Sequence, residues 1–248
     1  MKFSANLGFL WTDRPLPEAI HAAKAAGFDA VECHWPYDTP SADVAAALAE
    51  TGLPMLGLNT RRGNPGENGL AALPGRQSEA RAAVDEALAY ARVLDTPNVH
   101  VMAGFAKGSD AEATFIDILR YACDSFGGGT VLIEPLNHYD APGYFLQTTT
   151  QAKAIIARVA RPNLKIMFDC YHVQLMEGDV THRLEKLQPL IGHIQVASVP
   201  DRGAPDHGEL NYPHIWATLR RLGWSAPIGA EYKPGGDTDA TLGWMSAV

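Results

Sequence analysis

The chain alternates short apolar runs with longer amphipathic segments. TVLI at 130–133 is typical of a strand buried on both faces, whereas LPEAIHAAKAAG at 16–27 has apolar positions at helical spacing and ends on a glycine. Strands that alternate with helices predict a parallel sheet. The predicted pairs are KFSANLGFL with LPEAIHAAKAAG, DAVECHW with SADVAAALAETG, MLGLNT with SEARAAVDEALAYARVL, NVHVMAGF with DAEATFIDILRYACDSF, TVLIEPLN with TTTQAKAIIARVA, LKIMFDCYH with VTHRLEKLQPLIG, HIQVAS with YPHIWATLRRLG, and PIGAEYKP with the short tail DTDATLGWMSAV.

Eight strand-and-helix units in a chain of 248 residues predict a closed (β/α)8 TIM barrel. We expect one α/β domain over residues 1–248, with a short last helix. The alternative is an open doubly wound sheet, but no G-x-G-x-x-G follows the first strand, where a dinucleotide fold would have it. The glycine-rich stretch 61–76 predicts a long loop over the barrel mouth, since no linker-like tract divides the chain.

The overall charge narrows the class of partner. The formal net charge is −8, which argues against a nucleic-acid backbone or an anionic membrane surface as the main partner. The three cysteines are widely separated and form no CxxC pair, which fits a reducing compartment. No signal-peptide pattern and no apolar run of membrane-spanning length is present. We therefore expect a cytoplasmic protein, whose apolar and aromatic surface residues would permit a homo-oligomer.

Oxygen-bearing side chains fall at the ends of four consecutive predicted strands. These are Glu134 after VLI, Asp169 after KIMF, Gln195 in HIQVAS and Glu231 after IGA. In TIM barrels the chemistry lies at the carboxyl ends of the strands, so these side chains would converge at one mouth if their faces line the barrel interior.

Three carboxylates that converge in this way would repel one another and raise some of their pKa values. A divalent cation removes the repulsion. Because all the candidate ligand atoms are oxygens, the set favours Mg²⁺ or Mn²⁺ over the softer zinc. The sequence thus predicts a metal site formed by Glu134, Asp169, Gln195 and Glu231.

Several segments resemble those of a known family. IEPLNHYD at 133–140, FDCYH at 168–172, GHIQVA at 192–197 and GAEYKP at 229–234 resemble the signature segments of the hydroxypyruvate isomerase family. That family belongs to the xylose isomerase-like TIM barrels, which include ketose 3-epimerases. The resemblance runs over the full length and implies that the four strand-end residues bind a divalent metal.

The resemblance also implies catalytic roles. Residues that match Glu134 and Glu231 are the acid/base pair of the family, and the residue that matches His172 contacts a substrate oxygen. One carboxylate would take a proton from the carbon next to a carbonyl, and the other would return it. Return to the neighbouring carbon is isomerisation, whereas return to the same carbon from the opposite face is epimerisation. The residues identified here are compatible with both isomerisation and epimerisation.

Other residues are candidates for substrate contacts. Lys233 and Arg202 are the cations best placed to meet a substrate carboxylate, and Asp140 is a candidate for a substrate hydroxyl. Both cations favour an acidic substrate over a neutral sugar. Gln195 leans the same way, because epimerases of the superfamily generally have histidine at this position.

Further polar residues lie on the predicted strands. Glu32 and His34 alternate along the second strand, where a structural role and a substrate contact are equally open. His100 and His193 are expected to be core histidines with satisfied hydrogen bonds.

The favoured function is a metal-dependent aldose–ketose isomerase that acts on a small hydroxy-oxo acid, with hydroxypyruvate and tartronate semialdehyde as the expected pair. A 2-oxo-tetronate isomerase and a ketose 3-epimerase are the enzymatic alternatives. A metal or sugar-acid binding module is the non-enzymatic one, although a binding module needs no acid/base pair.

Three segments depart from the hydroxypyruvate isomerase pattern. Ser198 stands where an acidic residue is usual, and both VPDRGAPDHGE at 199–209 and LNTRRGN at 58–64 differ from the family segments. All three lie near the expected mouth, where substrate choice is made. The metal chemistry is therefore predicted more firmly than the substrate.

Overall fold

The computed structural model of the protein describes residues 1–247. Its sheet consists of eight parallel strands, all short and nearly all buried. The strands are β1 Phe3–Asn6, β2 Ala30–Glu32, β3 Gly57–Asn59, β4 Asn98–His100, β5 Thr130–Ile133, β6 Leu164–Asp169, β7 Ile191–Val196 and β8 Ile228–Ala230.

The strands form a closed barrel. Their order is β2-β1-β8-β7-β6-β5-β4-β3, and the two ends of this series meet where Val31 pairs with Met55 and the backbone N–H of Leu56 donates to the Val31 carbonyl at 2.7 Å. A helix follows each of the first seven strands, and a short 3-10 segment follows the last. The predicted (β/α)8 TIM barrel is confirmed.

The helices pack their apolar faces on the outside of the strands, as Phe115, Ile118 and Leu119 do in the fourth. No helix among residues 1–247 is long and apolar enough to cross a membrane. The helices are α1 Leu16–Ala25, α2 Ser41–Thr51, α3 Gln77–Val93, α4 Ser109–Ser125, α5 Thr149–Val159, α6 Cys170–Met176, α7 Val180–Leu187 and α8 Tyr212–Arg221.

Two local differences from the sequence pattern have physical causes. The predicted sixth unit contains an additional helix, α6, because the Asp169 side chain accepts a hydrogen bond from the Tyr171 backbone N–H at 2.8 Å and so caps its first turn. After β8 the chain forms the 3-10 segment Asp239–Ala247, and the predicted tail ends at Val248, outside the described residues.

Candidate active site

The interior of the barrel is unusually polar at its carboxyl end. Side chains alternate along each strand, so Met167 and Asp169 of β6 share the inner face, as do His193 and Gln195 of β7. Asp169 pairs in register with Gln195, which pairs in turn with Gly229 of β8. The strands therefore bring the predicted ligand residues to one level of the barrel.

The four predicted metal ligands lie together and are buried. Glu134 and Glu231 directly follow β5 and β8, and each of the four residues has an exposed fraction of 5% or less. Each also has one buried side-chain oxygen without a hydrogen-bond partner among the described residues. These oxygens are Glu134 Oε1, Asp169 Oδ2, Gln195 Oε1 and Glu231 Oε2.

The crowding of acids shifts their protonation. Burial, followed by the charges of Glu231 and Asp169, raises the pKa of Glu134 well above its ordinary value. Burial and the charge of Glu231 raise the pKa of Asp169 to about 7. Ionisation of all three carboxylates would therefore need positive charge close to them.

Arg202 supplies part of that charge. Its Nη2 lies 3.8 Å from Asp169 Oδ2 and 3.6 Å from Glu231 Oε2. Burial disfavours the guanidinium charge, but the carboxylates, Glu231 first, outweigh it and raise the pKa of Arg202. The side chain lies between the rings of Phe9 and Tyr171, at 4.8 and 5.0 Å from their centroids. Arg202, predicted as a loop cation for a substrate carboxylate, is thus buried beside the acids, and its substrate contact stays a prediction.

Gln195 is oriented by a residue from the opposite side of the barrel. Its Nε2 donates to Glu32 Oε1 at 2.8 Å, which turns the amide oxygen toward the acid cluster. His193 binds the other Glu32 oxygen at 2.8 Å, and Asn6 Nδ2 donates to Oε1 at 3.1 Å. Burial alone would raise the pKa of Glu32, but His193 and Gln195 outweigh burial and lower it. Glu32 is therefore an ionised acceptor inside the barrel.

Gly229 leaves the space for this contact. A Cβ atom at this position would lie 2.6 Å from Glu32 Oε1 and 2.8 Å from Gln195 Cγ, closer than real Cβ contacts. Any larger residue at this position of β8 would displace Glu32 or Gln195 from their contact across the barrel.

His172 presents a donor to the site. The backbone N–H of Asn137 donates to His172 Nδ1 at 3.0 Å, so Nδ1 must be the unprotonated nitrogen. Burial lowers the pKa of His172 well below its ordinary value, which makes the ring neutral with its proton on Nε2. This Nε2 lies 3.8 Å from Glu134 Oε1 and 3.6 Å from Asp169 Oδ2 without a hydrogen-bond partner.

The other interior histidines differ from one another. His193 is satisfied by Glu32, as predicted. His100 is buried, but both of its ring nitrogens lack a hydrogen-bond partner within residues 1–247, so the prediction of a satisfied core histidine is wrong for this residue. Burial lowers its pKa to about 3, which keeps it neutral. His34 reaches the mouth, where its Nε2 lies 2.8 Å from Glu231 Oε1.

Asp140 and Lys233 both line the mouth. The Asp140 carboxylate accepts hydrogen bonds from Tyr171 Oη at 2.9 Å and from Arg202 Nη1 at 3.3 Å, so it also holds Arg202 in place. Lys233 is exposed, and its backbone N–H donates to the Arg202 carbonyl. Their predicted contacts with substrate stay predictions.

The mouth itself is a cavity of about 360 Å³ above the acid cluster, a size that suits a small molecule. Phe9, Trp35 and Arg62 form part of its wall and were not among the predicted site residues. Phe9 and Trp35 each follow within three residues of a strand end, which is the signal that could have found them.

The site can hold a divalent metal. Ligand atoms of Glu134, Asp169 and His172 lie within 4.8 Å of one another. The proton on His172 Nε2 makes this nitrogen a donor, whereas the four unpartnered oxygens of the predicted set are acceptors. The acceptor oxygens therefore fit a hard cation better than a set that includes the histidine.

Comparison with known proteins agrees with the fold. The family model described as the xylose isomerase-like TIM barrel matches residues 20–248. The chain belongs to this family.

Several relatives of the chain have names that state an activity. It is 42% identical to the 2-oxo-tetronate isomerase of Cupriavidus necator, covering 98% of this chain and 97% of that one. It is 37% identical to the hydroxypyruvate isomerase of Escherichia coli, covering 99% and 98%. A crystal structure from Brucella melitensis, described as an AP endonuclease of family 2, has a TM-score of 0.96 and 41% identity over 99% of this chain and 98% of that one. The predicted membership of the hydroxypyruvate isomerase group and the prediction of an isomerase are confirmed.

Proposed function

We propose that the protein is a metal-dependent aldose–ketose isomerase that converts hydroxypyruvate to tartronate semialdehyde by proton transfer between Glu134 and Glu231. The observation that carries this proposal is the pair of buried glutamates, each with an unpartnered oxygen, beside an amide oxygen and a third carboxylate at the floor of a small cavity. A binding module would need no such pair, since a metal could be held by fixed charges alone.

The roles of the residues follow from their contacts. Glu134, Asp169, Gln195 and Glu231 would hold Mg²⁺ or Mn²⁺, and the cation would stabilise the charge that develops on the two oxygens of the enediolate. One glutamate takes the proton from the hydroxyl-bearing carbon, the other delivers a proton of its own to the former carbonyl carbon, and the hydroxyl proton passes to the former carbonyl oxygen. The Nε2–H of His172 donates to a substrate oxygen. Arg202 stays with Asp169 and Glu231 and limits the cost of burying their charges.

The substrate is a short acid in this proposal. Lys233 is an exposed cation on the mouth and is a candidate partner for the substrate carboxylate. The second candidate substrate is 2-oxo-tetronate, favoured by 42% identity to an enzyme of that name. Both acids have a carbonyl next to a hydroxyl-bearing carbon, so the same residues would serve either. A ketose 3-epimerase would use the same pair of glutamates on a neutral sugar.

The test is solvent hydrogen exchange. Protein loaded with Mn²⁺ and incubated with hydroxypyruvate in D₂O should give the aldehyde or its hydrate, with deuterium on the carbon that receives the proton, as followed by NMR. 2-Oxo-tetronate and a neutral ketose are run in parallel. An inverted carbinol centre without carbonyl migration would favour epimerisation, and the absence of any exchange with all three compounds would leave only the binding module.

The contact between Glu32 and Gln195 allows a test of the metal site that is independent of turnover. Glu32→Gln gives position 32 a donor group of its own and removes the fixed orientation of the Gln195 amide. We expect Mn²⁺ affinity, measured by calorimetry, to fall by about 10- to 100-fold. In the double variant Glu32→Gln with Gln195→Glu, the amide donates to the carboxylate, whose second oxygen faces the cluster.

The double variant should recover most of the Mn²⁺ affinity, because a hydrogen bond of the opposite direction again turns an oxygen of residue 195 toward the cluster, and that oxygen now belongs to a carboxylate. Asn6 loses an acceptor in both variants, so the thermal midpoint should fall similarly in the two. If affinity follows the thermal midpoint and does not recover, Glu32 has only a structural role.

A further inference from the structure

Two adjacent arginines on the loop after β3 have different surroundings. Arg61 donates from Nε and Nη2 to the two carboxylate oxygens of Glu86, at 2.6 and 3.0 Å. Its guanidinium lies 4.7 Å from the centroid of the Tyr37 ring. The charge of Arg61 is therefore matched by a carboxylate of α3.

Arg62 is on the wall of the mouth, in the cavity that also contains Glu134 and Glu231. Its guanidinium lies 4.7 Å from the centroid of the Trp35 ring, and its Nε donates to the Glu67 carbonyl at 3.1 Å. Its terminal nitrogens Nη1 and Nη2 have no acceptor in the part of the chain that the structure describes.

The two contacts of Arg62 fix the plane of its guanidinium. Trp35 is itself fixed, because its Nε1 donates to the Thr60 carbonyl at 3.1 Å. A fixed guanidinium loses little conformational entropy when it binds a carboxylate through two parallel hydrogen bonds. Arg202, in contrast, is already flanked by Asp169 and Glu231. Arg202 Nε also lacks a hydrogen-bond partner, but among residues 1–247 only Arg62 of these two arginines has no carboxylate beside its charge.

The aromatic wall relates Arg62 to the reacting groups. The Trp35 ring lies 5.0 Å from the ring of His34, whose Nε2 is 2.8 Å from Glu231 Oε1. Arg62 stacks on Trp35, so contacts through Trp35 and His34 connect its guanidinium to Glu231. A substrate with its reacting carbons beside Glu231 would extend its other end along this wall.

We propose that Arg62 forms an anion subsite in the outer mouth that binds the carboxylate of a short oxo acid. This inference rests on the proposed isomerase function and adds a residue that selects acids over neutral sugars. The loop segment LNTRRGN that carries Arg62 is one of those that depart from the hydroxypyruvate isomerase pattern.

Arg62→Met and Arg61→Met form a matched pair, because both remove one positive charge and one stacking contact from the same loop. The substrates are also matched, since dihydroxyacetone has a CH₂OH group in place of the carboxylate of hydroxypyruvate. We expect Arg62→Met to lower kcat/KM for hydroxypyruvate by about 10- to 100-fold, the range for a lost charged hydrogen bond. The value for dihydroxyacetone should change by less than about threefold, and Arg61→Met should behave like the original protein with both substrates.

Equal losses on both substrates, or the same loss in Arg61→Met, would overturn the subsite. Where turnover of either compound is too slow to measure, calorimetric titration of tartronate into the Mn²⁺-loaded protein decides. A weaker affinity in Arg62→Met than in Arg61→Met supports the subsite even if the isomerase function fails, whereas equal affinities remove it.

Discussion

Replacement of either Glu134 or Glu231 by glutamine should lower the net turnover of hydroxypyruvate by about 10²–10⁴-fold. This is the usual contribution of a positioned base. Glutamine keeps the shape of the side chain and one oxygen, so Mn²⁺ should still bind at a saturating concentration, although more weakly. The two variants should differ in the half-reaction. The one that keeps the abstracting carboxylate still introduces deuterium from D₂O at the activated carbon of the substrate, and the other does not.

Turnover by coupled assay and deuterium incorporation by NMR are measured on the same Mn²⁺-saturated samples. Glu18→Gln is the control, because Glu18 is an exposed residue of α1 and its replacement should leave both measurements unchanged. Full turnover by both site variants would refute a mechanism with two bases. Loss of exchange in both would mean that the two glutamates act in a single proton-transfer step.

Asp169→Asn should lose metal binding while the fold stays intact. Asp169 Oδ1 caps α6 through the Tyr171 N–H, and asparagine caps a helix as well as aspartate does. If the amide oxygen keeps that bond, the amide nitrogen takes the place of Oδ2 and presents donor hydrogens where the ligand oxygen was. We expect Mn²⁺ affinity to fall by more than about 100-fold, beyond the loss that a supporting residue causes.

Thermal unfolding measures the same variant without any assay of turnover. Mn²⁺ at about 100 times its dissociation constant should stabilise the original protein by about 2.7 kcal/mol, and Asp169→Asn should gain less than about 0.4 kcal/mol at that concentration. Asp169→Ala is the comparison, since it loses the helix cap as well and should be less stable than the asparagine variant. Unchanged Mn²⁺ affinity in Asp169→Asn would remove Asp169 from the metal site.

The pH dependence of the metal-free protein follows from the raised pKa of Asp169. The folded state keeps this proton up to about pH 7, whereas the unfolded chain loses it near pH 4. The folded state therefore binds more protons in this interval, and its stability falls as the pH rises from about 4 to about 7. Asp169→Asn removes this contribution, so its stability curve should be flatter in that range, and its metal-free form should be as stable as the original or more so at pH 8.

Much of the fold could be predicted from the sequence, because the period of the apolar positions changes from strand to helix eight times. The first and last residues of the helices and strands were harder to predict. Serine is a usual cap residue, yet Pro40 takes the cap position of α2 and Ser41 is its first helical residue. Helix α6 is too short to produce a periodic pattern, and it begins at Cys170, directly after Asp169, which both ends β6 and caps the helix.

The site was predictable where it depends on position along a strand. Glu134, Asp169, Gln195 and Glu231 were found because strand ends meet at one mouth. Contacts across the barrel were not predictable in this way, since Glu32 and Gln195 are 163 residues apart. The burial of Arg202 and the stacking of Arg62 also depend on loop conformations, which the periodicity of apolar residues does not predict.

The space above Gly229 gives this family a marker that can be checked in sequences alone. A glycine inside a strand is usually discounted in an alignment as a weak strand residue. Here the absent side chain is what lets Glu32 meet the amide of Gln195. Positions 32, 195 and 229 should therefore change together during evolution. A relative with alanine or a larger residue at position 229 is expected to lack either the acid at position 32 or the amide at position 195. These three positions therefore divide the family into members that keep this contact and members that have lost it.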